Sequence, residues 1–360
     1  MKHLNKKIDL YCWACDFSPD RGEGILARHY ILNLSKIKKK KIFIRTPNSA
    51  HYIKNGFLKN LKMYNKKPSK LNFNFFENYF NPIIGILYLW INYLNKRGVC
   101  YLNFLPLWNI FLYVFLPPKT HLGPITGFIF KKKITSFNFF LRKYLNNLLF
   151  KLNLKILFYR QNKVYFSTNL LKDFITEENK KKVFFNYLIN LIEIKKIRKN
   201  KNIDLLIYNR NYSVKNNILR NKLLTTLTKI NLKIYAIGDY LAIKKIENLG
   251  FITRKECCSL LNRTKFIINS GENPYNIFTI DAFNNHANII YENIFSKKIN
   301  FFNKNKLFFL NFTQPNQIIK FFNGKNHNKI NLSLLTKNYN DIKNKNFNYF
   351  NSVKIYYSNI

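Results

Sequence analysis

The chain is short of acid: its 360 residues hold 17 Asp and Glu against 61 Lys and Arg, a formal net charge of +44. No D-x-D stands in a metal-binding context, so no metal is expected at a site that binds phosphate, and cationic side chains would neutralise it instead. Cysteine is scarce and odd in number, five in all, which argues against a disulfide framework and fits a reducing compartment. The start, Met1-Lys2-His3-Leu4-Asn5-Lys6-Lys7, lacks the apolar core and small-residue cleavage site of a signal peptide. The most apolar stretch, 101–116, is broken by Asn103, Pro106 and Asn109 and falls short of a spanning helix. These absences predict a cytoplasmic protein, with peripheral contact at the inner, anionic face of a membrane left open. There is no internal repeat, no RNA-binding signature and no zinc-finger spacing.

What the chain does contain is length and apolar mass. At 360 residues with 47% apolar side chains, two domains of ordinary size are expected. The over-used residues are Lys, Asn, Ile, Phe, Tyr and Leu, the set written by codons of A and T, so base composition accounts for much of the basic excess. Whatever its origin, surplus Lys attracts phosphates, whether on a nucleotide sugar, a lipid-linked acceptor or an anionic leaflet.

Residues 8–13 form a short apolar run, followed by Ser18-Pro19-Asp20-Arg21-Gly22-Glu23-Gly24 and then by Ile25, Leu26, Tyr30, Ile31 and Leu34 at helical spacing. Strand, loop and helix in that order open a parallel sheet. Further strands are expected at 41–46, 99–105 and 164–167, with a helical stretch after Asn169. The polar cluster 195–202 interrupts the pattern, which then restarts. Strands are expected at 203–208, 233–237, 266–269 and 287–291, and helices at 214–230, 241–248, 255–262 and 279–284. Two such series predict an α/β chain of two doubly wound, Rossmann-like domains facing across a cleft. The boundaries read as 1–198 and 199–335, with 336–360 a helix or tail that could pack back on the first domain.

Two constellations carry chemistry. Asn209-Arg210-Asn211-Tyr212-Ser213-Val214-Lys215-Asn216 follows a strand and opens a helix, and so offers two cations and free backbone N–H groups to a diphosphate. Later, Phe266-Ile267-Ile268-Asn269-Ser270-Gly271-Glu272-Asn273-Pro274-Tyr275-Asn276 closes a strand into a polar turn, and Asp281 follows on the next helix. Such a turn can hold sugar hydroxyls, while an acid on the helix reaches a ribose. The alternative is an ordinary turn capped by Ser270 or Asn273. Cys12-Trp13-Ala14-Cys15 has redox spacing but no second pair, and reads as buried thiols.

In this order the residues resemble the C-terminal domain of the retaining GT-B glycosyltransferases of the large family four. That family carries Gly-Arg with Lys-Gly five residues on, a strand ending in Gly-Asp, then Leu-Gly before a short helix. A strand ending in Ser follows, then a Glu separated by seven residues from Glu-Ala. Here Arg210 and Lys215, Gly238-Asp239, Leu249-Gly250, Ser270 and Asp281-Ala282 keep the order. The departures are Asn209 and Asn216 for glycines, Asn273 where the first Glu belongs with Glu272 one residue early, and Asp281 for the second Glu.

By this resemblance Arg210 and Lys215, with Gly22 and Gly24 of the first loop, hold the donor diphosphate. Glu272, Asn273, Tyr275 and Asn276 meet the sugar, Asp281 the ribose, and Gly238, Gly250 and Phe251 lie near the base. Gly123, Pro124, Thr126 and Gly127 form an acceptor loop in the first domain. His121 beside it is the candidate catalytic group, together with Glu272. The implied reaction is metal-independent sugar transfer from a nucleotide-diphosphate donor, with retention, to an envelope glycan or lipid-linked acceptor. No cofactor is expected beyond the nucleotide sugar as co-substrate, and nucleic acid is not the expected partner. A basic nucleic-acid-binding protein and a GT-B-like module without catalysis remain the alternative readings.

Overall fold

Strands rich in aliphatic residues with no polar alternation are those of parallel sheets buried on both faces, and the chain builds two six-stranded sheets, one wholly and one partly parallel, with a two-stranded parallel pair besides. The computed structural model describes residues 8–19, 22–63, 74–102, 110–123, 125, 137–161, 164–166, 169–185, 201–209, 218–268, 274–293, 296, 299, 307–324, 344 and 351. The chain divides into two compact units. One comprises Met1–Phe128, Lys132–Leu188 and Lys345–Ile360, the other Ile129–Lys131 and Ile189–Asn344.

The first unit runs β1 (Leu10–Trp13), α1 (Gly22–Lys38), β2 (Lys41–Arg45), β3 (Ser49–Lys54), β4 (Phe57–Met63), α2 (Asn74–Leu94), β5 (Gly98–Tyr101), α3 (Ile110–Phe115), β6 (His121–Leu122), α4 (Phe137–Arg160) and β7 (Val164–Phe166). A 3-10 turn (Asn169–Phe174), α5 (Glu177–Lys180) and β8 (Val183–Phe185) follow. The sheet order is β4-β3-β2-β1-β5-β6, parallel except for the β2-β3-β4 meander. Alternation along β1 sends Leu10 and Cys12 to the α1 side with Ile31, Leu34, Ile42 and Ile44, and Trp13 to the other side with Leu89, Tyr101 and Phe150. α2 closes on Trp13 because Gly85 has no side chain: a Cβ there would lie 2.3 Å from the indole. The hairpin β3-β4, closed by Asn55 and Gly56 at positive φ, and α2 were not foreseen. The strand expected over 99–105 ends at Tyr101, and 103–109 lies outside the described residues.

The second unit runs β9 (Ile203–Asn209), α6 (Ile218–Leu227), β10 (Ile234–Gly238), β11 (Ile246–Asn248), α7 (Arg254–Asn262), β12 (Thr264–Ile268), α8 (Ile277–Asn284), β13 (Asn288–Glu292), β14 (Leu307–Leu310) and α9 (Pro315–Asn323). Its sheet is wholly parallel in the order β11-β10-β9-β12-β13-β14. Numbered within the unit that is 3-2-1-4-5-6, the order of the dinucleotide-binding sheet. Leu205, Ile207, Leu223, Leu224 and Ile318 pack the α6 and α9 face, while Tyr208 meets Phe278 of α8 on the other, ring centroids 5.5 Å apart.

One expected element is corrected. The 241–248 segment is not a helix but a loop leading into β11. Lys245 turns the chain at φ 66°. The Asn248 side chain then ties the loop shut, Oδ1 accepting from the Leu241 N–H at 2.9 Å and Nδ2 donating to the Leu241 carbonyl at 3.1 Å. An amide that satisfies both backbone groups of one residue replaces helical bonding with a closed loop.

Gly238 ends β10 at φ 94°, and a Cβ there would fall 2.3 Å from the Asn209 carbonyl oxygen. Gly238→Ala is expected to cost about 1–3 kcal/mol, seen as a lower urea midpoint with helix and strand content unchanged at zero denaturant. An unaltered midpoint would show that this turn relaxes freely.

Candidate functional site

Parallel strands need crossovers, and a crossover from β9 through α6 to β10 runs one way along the sheet while β12 through α8 to β13 runs the other. β9 and β12 are nonetheless neighbours, with Ile207 opposite Ile268. Their carboxyl ends therefore flank the point where the connections diverge, the place where open α/β sheets bind ligands. The chain leaves those two ends at residue 210 and residue 269. Arg210, Lys215, Glu272 and Asn273 all lie on these departing segments and outside the described residues; Pro124, Thr126 and Gly127 of the first unit also lie outside the described residues.

The described shell around this edge is braced by amides. Asn209, fully buried at the tip of β9, donates from Nδ2 to the carbonyls of Asp239 at 2.9 Å and Tyr240 at 3.2 Å. Its own carbonyl accepts from the Asp239 N–H at 3.0 Å, and Gly238 N–H donates to the Gly250 carbonyl at 2.8 Å. The exits of β9, β10 and β11 are thus cross-tied, each bond worth about 1 kcal/mol. Gly250 takes φ 68°, and the space a Cβ would occupy is open. Beside this turn two large rings stand in solvent, Phe251 at 75% exposure and Tyr240 at 72%. Phe251 was expected at the base region. Tyr240 was missed, although its place directly after Gly238-Asp239 was a usable signal.

On the other side of the divergence, α8 starts from a turn that is anchored in the core. The Tyr291 hydroxyl, fully buried, donates to the Pro274 carbonyl at 2.7 Å, and Tyr275 is buried. Asn276 caps the helix, its Oδ1 accepting from the Thr279 N–H at 2.8 Å and from the Thr279 hydroxyl at 2.9 Å. A capped helix start at this edge carries the positive end of the helix dipole, which favours an anion. Sequence reasoning did not find Tyr291, because nothing in a buried strand tyrosine marks the carbonyl its hydroxyl reaches.

Asp281 is 2% exposed, and both of its oxygens are held by Arg254: Nε to Oδ2 at 2.8 Å and Nη2 to Oδ1 at 2.7 Å. Arg254 opens α7 next to a capping box in which Thr253 and Glu256 satisfy each other's backbone N–H. Burial pushes the Asp281 carboxyl above its ordinary value and Arg254 opposes that. At 2% exposure the carboxylate faces the guanidinium and not solvent.

In the first unit, Gly22 begins α1, and Gly24 lies so close to the preceding loop that a Cβ would be 2.4 Å from the Ser18 carbonyl oxygen. The loop itself is turned by Asp16, whose Oδ1 accepts from the Ser18 N–H at 2.9 Å. Gly123 packs on the end of β5, donating to the Tyr101 carbonyl at 2.8 Å. His121 pairs with Cys100 in the sheet, and burial pushes its pKa down to about 4, so its ring is neutral at pH 7. Cys12 is buried, and the half-buried Cys15 thiol lies 3.1 Å from the Tyr101 hydroxyl.

No family model and no curated protein matches the sequence. Solved structures do match. HepE of Anabaena, determined with UDP-glucose, aligns over 98% of this chain and 100% of its own with a TM-score of 0.56 and 8% identity. The UDP-GlcNAc 2-epimerase of Methanocaldococcus jannaschii, determined with UDP-GlcNAc and UDP, aligns over 88% and 93% with a TM-score of 0.51 and 13% identity. These likenesses show the fold: two Rossmann-like domains of the GT-B type.

Arg254→Met strands a buried carboxylate. It is expected to lower stability by about 3–5 kcal/mol at pH 7. The sign with pH follows: without its partner, folded Asp281 has a pKa above the unfolded value, so the penalty is full at neutral pH and shrinks as acid protonates the group. Urea unfolding of the variant and the parent at pH 7 and pH 5 measures this, and Arg254→Met with Asp281→Leu should recover most of the loss.

Proposed function

We propose that this chain transfers a sugar from a nucleotide-diphosphate donor to a glycan or lipid-linked acceptor, with retention of configuration and without a metal ion. The observation that carries the reading is the divergence at β9 and β12. The segment bearing Arg210 and Lys215 leaves from one strand end, and the segment bearing Glu272 and Asn273 leaves from the other, next to the capped start of α8. The donor's C1–O bond breaks as the acceptor oxygen bonds to C1, and negative charge grows on the departing diphosphate. Cations at 210 and 215 and the α8 N-terminus act mainly on that charge, so they favour the transition state over the bound donor. The acceptor's proton passes to the departing phosphate, and His121, whose burial disfavours the protonated ring, hydrogen-bonds the acceptor as a neutral imidazole. For Asp281 to meet the ribose its pairing with Arg254 must turn outward, since the carboxylate is buried. Tyr240 and Phe251 offer apolar faces for the base.

Uridine is the base to test first, since HepE and the epimerase were both determined with uridine nucleotides. The epimerase also supplies a second reading, because its fold serves isomerisation of the donor's own sugar.

Among UDP, GDP, ADP and CMP sugars, one is expected to raise the melting temperature, as a ligand at about 100 times its Kd adds about 2.7 kcal/mol. Arg210→Ala should abolish that shift while leaving the unliganded transition in place. His121→Gln should keep the shift and lower turnover by about a hundredfold or more. Free UDP with a glycoside as product supports transfer; a UDP-sugar epimer supports the second reading. Full stabilisation of Arg210→Ala by the nucleotide would remove the diphosphate assignment, and salt-sensitive binding of random RNA without any nucleotide response would favour a nucleic-acid function.

A further inference from the structure

A helix packed on a sheet and facing water on its other side should be polar on that outer side. α2 is not. From Phe80 to Leu94 every exposed position carries a large apolar side chain: Phe80, Ile83, Ile84, Leu87, Ile91 and Leu94, between 48% and 72% exposed. The opposite face supplies Ile86 and Leu89 to the core, so from Phe80 to Leu94 the helix is apolar on both faces apart from Asn81 and Asn92, while only half of it is covered. The stripe runs about 21 Å along the helix axis.

Neighbouring helices extend it. The Trp90 indole N–H donates to the Phe115 carbonyl at 2.7 Å, which ties α2 to the end of α3, where Val114 and Phe115 are 44% and 53% exposed. Arg160 at the end of α4 donates to the Tyr113, Val114 and Leu116 carbonyls and fixes α4 to the same end of α3. α4 adds exposed Leu148, Leu152 and Tyr159. Large apolar side chains exposed in this number on three tied helices mark an interaction site.

Charge says what covers it. Between Glu77 and Asp173 the sequence holds no acidic residue at all, while Lys96, Arg97, Lys119, Arg142, Lys143, Lys151, Lys155 and Arg160 fall in or beside the three helices. Lys96 stands two residues beyond α2, and Lys151 and Lys155 interleave with Leu148 and Leu152 on α4; all three are exposed. A second copy of this chain docked here would bring two acid-free, basic faces together. Among the described residues no helix is long and apolar enough to cross a membrane. We propose that the α2-α3-α4 face of the first unit docks flat on an anionic lipid bilayer, α2 lying along the interface with its apolar stripe below the headgroups and the lysines at phosphate level.

This inference stands independently of sugar transfer, because vesicle partition and nucleotide-induced thermal shift are read separately. The test is flotation of the full chain with vesicles of phosphatidylcholine alone or with about one third phosphatidylglycerol, at low and high salt, together with sedimentation velocity without lipid. The expected result is binding to the anionic vesicles that weakens with salt and falls by about tenfold or more in Leu87→Glu with Ile91→Glu, at an unchanged melting temperature. Ile84→Gln with Ile91→Gln gives the same readout if the glutamates impair folding. The proposal is overturned if the parent chain stays with neither vesicle, or if the substituted chains float as well as the parent. A dimer that the substitutions split, without vesicle binding, overturns it too and assigns the face to a second copy.

Discussion

Parallel strands cannot be joined by tight turns, and the architecture of the second unit follows from that constraint. Each strand must be followed by a crossover, and right-handed crossovers starting from a central strand can fill the sheet in only one direction. To extend it the other way the chain returns and begins again beside its starting point, as β12 does beside β9. Two neighbouring strands then send their following segments apart, and the edge between them is left without a covering connection. The opening is a consequence of how the sheet is wound, and what the sequence controls is which side chains stand around it.

Asparagine does much of that controlling. A glycine-poor chain has few ways to make sharp exits from strands, and this one holds 11 glycines in 360 residues. Asn209, Asn248 and Asn276 each use a side-chain amide to satisfy backbone groups in the loops at or near the carboxyl edge. The Asn209 case is instructive. The resemblance to family-four enzymes has glycine there, a residue that allows close approach by leaving space. The amide here contributes bonds instead, to two carbonyls of the loop after β10. Gly238 remains indispensable beside it, because the Asn209 carbonyl occupies the place of any Cβ. A composition bias toward Asn has been absorbed as bracing at the very loops where a bias toward lysine could only add charge.

How much of this was legible in the sequence depends on the range of the interaction. β9, β10, β12 and β13 could be read directly, since each is a short run of buried aliphatic residues bounded by polar turns. The 241–248 loop was misread because Ala242, Ile243 and Ile246 sit at helical spacing, while the bond that decides its shape is a closure between its two ends. The hairpin β3-β4 pairs residues such as His51 and Asn60 whose polarity hides a strand, and it holds them by side-chain hydrogen bonding, His51 Nδ1 to Asn60 Oδ1 at 2.8 Å. At the site, Asp281 was legible as an acid on a helix, but neither its burial nor its partner Arg254 was. Their separation of 27 positions corresponds to no local period, and only the packing of α7 on α8 brings them together.

Composition conceals one further distinction, between charge that is spread and charge that is arranged. Base-composition drift explains a high lysine count, but it does not explain an uninterrupted absence of acid from 78 to 172 coinciding with α2, whose exposed side chains from Phe80 to Leu94 are all apolar. Drift toward A and T writes Ile, Phe and Leu as readily as Lys, and a water-facing helix under that drift would carry lysine and asparagine on its outside, as exposed Lys255 does on α7. α2 received the apolar half of the same pool on both faces, and it lost neither fold nor core contacts in doing so. Exposed apolar side chains of this size are a standing aggregation hazard in water, which a chain keeps when the surface spends its time against something other than water. The same basic excess that would attract a phosphate at the strand ends of one unit would attract a headgroup at the helices of the other, and the apolar stripe distinguishes the second case from the first.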